Sequence, residues 1–183
     1  TYGFFGETQV QKLYADPKLY AGDFDNAEFA DRIAVLPLAD QPATRWNYSH
    51  STDVLGRVVE VASGQTLFQF EKQRLFDPLG MSETAYYVAD EAKWPRIAQP
   101  FPVDRLRVAG IKEPTVARRW ESGGAGLVST AADYARFLQM LLNGGELDGK
   151  RYLKPETVAL MTSDQIGPET KILHDPFYFP GPS

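Results

Sequence analysis

The residues best placed to do chemistry in this chain stand together as Tyr48-Ser49-His50-Ser51-Thr52-Asp53. A tyrosine is followed at once by short oxygen-bearing side chains, and an apolar helical pattern begins behind them. Ser49, Ser51 and Asp53 can each accept from the free N–H groups of a helix's first turn, which puts Tyr48 at the helix mouth. A phenol exchanges protons near neutral pH only if its pKa falls from about 10 towards that range. Nearby positive charge and a helix N-terminus push it that way. The plainer reading of Tyr48 is a core side chain with a backbone hydrogen bond. His50 can likewise contact a ligand or simply sit in the capping turn.

Three other groupings carry weaker signals. Asp23-Phe24-Asp25-Asn26 looks like the start of a calcium loop, but Ala27 stands at the third alternate position and no glycine sits sixth. Asp25 serves better as a helix cap, so no metal site is expected. Gly123-Gly124-Ala125-Gly126 could aim backbone amides at an anion. It lacks the Gly-Lys-Ser/Thr ending of a phosphate loop and follows no clear apolar strand, which leaves close backbone packing as its use. His174, in Leu173-His174-Asp175-Pro176, invites a Ser-His-Asp triad but lies in a poorly patterned tail.

The elements that must position these residues are mostly helical. Thr8 caps a short helix to about Ala15, with Val10, Leu13 and Tyr14 inward, and Asp25 caps another bearing Phe29, Ile33 and Leu36. Behind Tyr48, Val54, Leu55, Val58, Val59 and Ala62 recur at helical spacing and predict a buried face, with Gly64 as the stop. Thr66 and Gln69 form a capping box for a helix from Leu67 to Phe76. Glu83 to Val88 reads as a short strand, and Lys93 to Glu113 as a proline-broken loop. Ser129 or Thr130 caps the clearest helix, whose Tyr134, Phe137, Leu138, Leu141 and Leu142 share a face, and Gly144 ends it. Pro155 opens a last short helix.

Composition sets outer bounds. The chain has 183 residues, enough for one domain with its own core, and 43% of them are hydrophobic. A net charge of −5, with both signs interspersed, offers no basic stripe for nucleic acid. The absence of cysteine removes disulfides, thiol catalysis and thiolate metal sites, and suits cytoplasm and periplasm alike. No apolar run approaches the roughly 20 residues of a membrane span.

Tyr48-Ser49-His50, the turn Pro78-Leu79-Gly80-Met81, and Glu121 to Thr130 leading into a helix that ends at Asn143-Gly144-Gly145 occur in a telling order and spacing. In these segments the chain resembles the serine β-lactamase and penicillin-binding protein superfamily, in the branch that holds class C β-lactamases, D-alanyl-D-alanine peptidases and β-lactamase-like carboxylesterases. The resemblance implies that Tyr48 opens the second catalytic motif and relays protons at the nucleophile and leaving group, assisted by a lysine. It makes His50 a departure from the usual asparagine, favouring an ester substrate over a β-lactam, and makes both His50 and Tyr2 candidate pocket residues.

Two parts of the family's machinery are missing. None of the serines, at 49, 51, 63, 82, 122, 129, 163 and 183, has lysine three residues later, so the Ser-x-x-Lys nucleophile is absent. A Lys-Thr-Gly-type third motif is absent as well. We therefore expect residues 1–183 to form a single mainly α domain with one or two short strands. It resembles the helical lobe of the superfamily without most of the parent's antiparallel sheet, as an internal fragment of a longer serine hydrolase. The expected parent is a carboxylesterase working by an acyl-enzyme, with β-lactamase or D-alanyl-D-alanine carboxypeptidase as alternatives and no cofactor implied. The fragment alone is expected to be inactive. A non-catalytic helical binding module, or one half of a split enzyme completed by a second chain, are the other readings.

Overall fold

A computed structural model describes residues 8–99, 101 and 113–172. Tyr2, His174 and most of the stretch expected as a pocket-edge loop lie outside the described residues. The described elements are mostly helical: α1 Gln9–Tyr14, α2 Asn26–Ala34, α3 Ser51–Ser63, α4 Leu67–Glu71, α5 Asp77–Leu79, α6 Ala131–Leu142 and α7 Pro155–Met161. Short 3-10 turns span Pro17–Tyr20 and Glu91–Arg96. Two small ladders complete the set. β1 (Arg45–Trp46) pairs in parallel with β4 (Lys171–Ile172), and β2 (Glu146–Leu147) pairs antiparallel with β3 (Lys150–Arg151). Among the described residues no helix is long and apolar enough to cross a membrane.

The local start signals work as expected. Thr8 with Gln11 and Thr66 with Gln69 form reciprocal capping boxes, and Asp25 does the same with Glu28. Thr130 caps α6. The helix begun at Leu67 does not stay α: Lys72–Phe76 is wound as a π-helical stretch before Asp77–Leu79 resumes the α form. The strand expected over Glu83 to Val88 reduces to one bridge, Ala85 to Val128. Its aromatic residues turn to packing, with Tyr86 set edge-on to Phe68 at 5.9 Å.

Two apolar clusters hold these pieces. One gathers Phe76, Leu79, Met81, Met140 and Leu147 around the end of the π stretch and α6. The other gathers Leu19, Phe24, Phe29 and Ile33 around α2, with Val54 and Trp120 packed against it. The faces expected for α3 and α6 are met only in part: Val54 of α3 packs against the second cluster, and Phe137 and Leu141 of α6 against the first. In α3 the buried residues are Asp53 and Gly56, while Leu55 and Val58 are exposed. In α6 they are Asp133 and Met140, while Tyr134, Leu138 and Leu142 are exposed. The reason is polar: both aspartates hold hydrogen bonds to neighbouring segments, and those contacts set which side turns inward.

Candidate active site

The loop 47–50 carries the candidate residues and is held at both ends. Upstream, Trp46 lies in the β1–β4 ladder, and Thr170 Oγ1 donates to the Ala43 carbonyl at 3.3 Å. Downstream, His50 is the N-cap residue of α3, accepting the Val54 amide at 3.0 Å through its carbonyl. No side chain caps this helix, so the capping role expected of Ser49, Ser51 and Asp53 is not what these residues do. Ser49 is buried and its Oγ has no hydrogen-bond partner among the described residues. Tyr48 is 37% exposed.

At 3% exposure the ring of His50 is enclosed in this conformation. Its ring packs edge-on against Phe29 at 4.8 Å. Nδ1 lies 2.9 Å from Asp53 Oδ2, and Nε2 lies 2.8 Å from the Tyr20 hydroxyl oxygen. The i, i+3 spacing of His50 and Asp53 at a helix start was the sequence signal for this pair.

Asp53 is the hub. Ser122 Oγ donates to its Oδ1 at 2.5 Å, and the Gly124 amide donates to the same oxygen at 3.4 Å. Burial alone would raise the Asp53 carboxyl, but the hydrogen bonds from His50 and Ser122, the neighbouring imidazole charge and the Gly124 amide outweigh it. The group is held below its usual range. The contact is possible because residue 123 is glycine: a Cβ there would stand 2.3 Å from the Thr52 carbonyl oxygen. The glycine cluster thus serves close backbone packing.

Serine, histidine and aspartate are all present, yet they do not form a triad. Ser122 bonds to the carboxylate and not to the imidazole, so the histidine is not placed to take its proton. A second, partly buried acidic group lies beyond Ser122. Tyr86 donates to the Ser122 carbonyl at 3.2 Å, and Glu121 Oε2 accepts the Phe68 amide at 2.8 Å. Glu71 beside them has an enclosed Oε2 with no hydrogen-bond partner among the described residues. Burial pushes Glu71 up to about 7, the Tyr86 hydroxyl opposing this and the Glu121 charge adding to it. Tyr86 is in turn raised by burial and by the charge of Glu71. Sequence periodicity gave no sign of Tyr20, Glu71 or Tyr86, because their partners are 30 or more residues away or buried within other elements.

Among the described residues no group of three or more potential ligands could hold a metal ion. What the arrangement offers is a partly exposed tyrosine, Tyr48, on a loop clamped by a β ladder on one side and a buried polar network on the other.

Known proteins are similar to this chain in sequence and, for one solved structure, in fold. An uncharacterized protein of Mycobacterium tuberculosis is 40% identical over 174 residues, covering 93% of this chain and 42% of that protein. Lovastatin esterase of Penicillium rubens is 33% identical over 168 residues, covering 88% of this chain and 40% of the esterase. The solved structure of EstCE1, described as a hydrolase with promiscuous acyltransferase activity, superposes with a TM-score of 0.62 at 22% identity, over 86% of this chain and 45% of that one. The chain thus spans about two fifths of the length of the curated relatives it matches. Residues 5–180 match the Beta-lactamase family, and the chain belongs to it.

Proposed function

We propose that this chain is the part of a serine hydrolase that presents Tyr48 as proton relay, and that the whole enzyme cleaves small-molecule esters through an acyl-enzyme. The observation that carries the reading is the placement of Tyr48: a tyrosine 37% exposed at the mouth of α3, on a loop fixed at both ends. Family membership and the likeness to a lovastatin esterase support it. Tyr48 takes the proton from the nucleophile and returns it to the leaving group, a role worth about 10²- to 10⁴-fold in rate. The nucleophile, its lysine and the third motif come from outside these 183 residues, as does most of the antiparallel sheet. The 183 residues alone form one helical domain and do not turn over ester.

The experiment is Tyr48→Phe in the complete enzyme, assayed by release of p-nitrophenol from a short-chain ester. We expect kcat to fall by about 10²-fold or more with KM little changed. Full activity in Tyr48→Phe, or turnover by the 183-residue chain alone, overturns the reading. A β-lactam or D-alanyl peptide hydrolysed faster than the ester changes the substrate class and leaves the role of Tyr48 in place.

A further inference from the structure

The ring of His50 meets groups whose proton requirements are fixed by their chemistry. The Tyr20 hydroxyl oxygen lies 2.8 Å from the Tyr14 carbonyl oxygen and 2.8 Å from His50 Nε2. A phenol carries one proton, and a carbonyl can only accept. If that proton went to His50, two oxygens would face each other at 2.8 Å with no hydrogen between them. The proton therefore goes to Tyr14, and Nε2 must itself donate to the phenol oxygen. On the other side of the ring, Nδ1 faces Asp53 Oδ2 at 2.9 Å. Asp53 already draws two donors to its other oxygen, Ser122 Oγ and the Gly124 amide, as a carboxylate does. Nδ1 therefore carries a proton as well.

We propose that His50 is a buried imidazolium, and that its two hydrogen bonds make it the positioning residue that fixes the loop carrying Tyr48. The inference rests on the proposed role of Tyr48 for its functional half and on hydrogen-bond geometry for its charge. The groups facing His50 include Tyr20 from the first 3-10 turn, Asp53 from α3 and, through Asp53, Ser122, while α2 lays the Phe29 ring against it. Burial raises Tyr20 to about 12, with the Asp53 charge adding to it, so the phenol keeps its proton in this arrangement. Tyr48 stands two residues from Trp46 in the β1 ladder and two from His50. Releasing His50 frees one end of the loop and lets the phenol wander, and misplacement by about 1 Å at a reacting group can cost on the order of 10²-fold in rate.

Two measurements decide it. In the chain labelled with ¹⁵N-histidine, His50 shares the spectrum with His174 alone, so His174→Gln assigns it by elimination. At pH 7 both His50 ring nitrogens should resonate together in the protonated range. A bare nitrogen, far downfield of its protonated partner, overturns the charged state and the proposal with it. In the complete enzyme, Tyr20→Phe keeps the ring packing and removes only the oxygen that accepts from Nε2, while His50→Gln removes the charge. Each should lower kcat by about tenfold or more with KM changed less than about twofold. If Tyr48→Phe abolishes hydrolysis while Tyr20→Phe and His50→Gln retain full kcat, the positioning inference fails and the function stands. If Tyr48→Phe leaves hydrolysis intact, the proposed function fails, the positioning half falls with it, and the charge of His50 is still decided by the spectrum.

Discussion

Glu71 gives the clearest handle on how the partly buried acidic groups shape stability. The folded protein holds it up to about 7, against a usual value of 4.5, because burial penalises the charged form and Glu121 repels it. Between those two pH values the unfolded chain releases a proton that the folded chain keeps. The native state then binds more protons, and stability falls as pH rises through the window, reaching its full deficit above about pH 7. At about 1.4 kcal/mol per pH unit the interval gives a ceiling of about 3 kcal/mol. The side chain is only partly shielded, and solvent screening brings the expected deficit to about 2 kcal/mol. Glu71→Gln keeps the shape of the protonated acid and cannot ionise. Urea unfolding at pH 8 should therefore show the variant more stable by about 2 kcal/mol, a midpoint shift on the order of 1 M, with the gap closing at pH 4.5. Asp25, Asp53 and Glu83 are shifted downwards and act in the opposite sense at more acidic pH, so comparison with wild type removes them. A difference that is the same at pH 4.5 and pH 8, or of opposite sign at pH 8, refutes the reasoning.

Other perturbations test the scaffold. Thr66→Ala removes the cap that accepts the Gln69 amide at 3.2 Å and should cost about 1 kcal/mol in urea unfolding, with the α4 amides exchanging faster. Gly123→Ala forces a methyl against the Thr52 carbonyl at the start of α3, where backbone must move. We expect about 3 kcal/mol of destabilisation by the same assay. Met140→Ala, at a side chain with no exposure, should cost about 2 to 5 kcal/mol. Leu142→Gln, two residues on and 81% exposed, should cost less than about 0.5 kcal/mol in the same melts of this chain.

The parts of the fold legible in the sequence are those decided within a few residues. A threonine and a glutamine three apart announce the starts of α1 and α4, and Asp25 announces α2, because the capping oxygen and its amide share one turn. Gly64 ends α3 at a φ of 70°, a conformation other residues rarely adopt. Tyr48 was legible as a residue at the mouth of a helix, and the order of the segments around it was legible as a family. The site's support was not. Ser122 and Asp53 stand 69 residues apart, and Tyr20 and His50 stand 30 apart. Contacts of that range leave no period in the sequence. The π-helical turn at Lys72–Phe76 is equally silent, since its residues suit an α-helix as well.

The exposed parts of the two expected helix faces share one cause. Asp53 and Asp133 each occupy the third residue of their helix, where the sequence suggests a cap for the first and a complement to the positive helix end for the second. Each instead turns inward and grips another segment. Asp53 takes Ser122 and the Gly124 amide, and Asp133 takes the Glu83 amide at 2.8 Å and Thr84 Oγ1 at 2.9 Å. Thr84 in turn meets Ser129 at 2.8 Å, and Ala85 bridges to Val128. The segment from Ser122 to Ser129 is thus tied down near both ends by these contacts. Those ties fix the rotation of α3 and α6 about their axes, because a buried carboxylate without donors is far more costly than an exposed leucine. Apolar periodicity finds the stripe on each helix, but the single aspartate decides which way the stripe points within this chain.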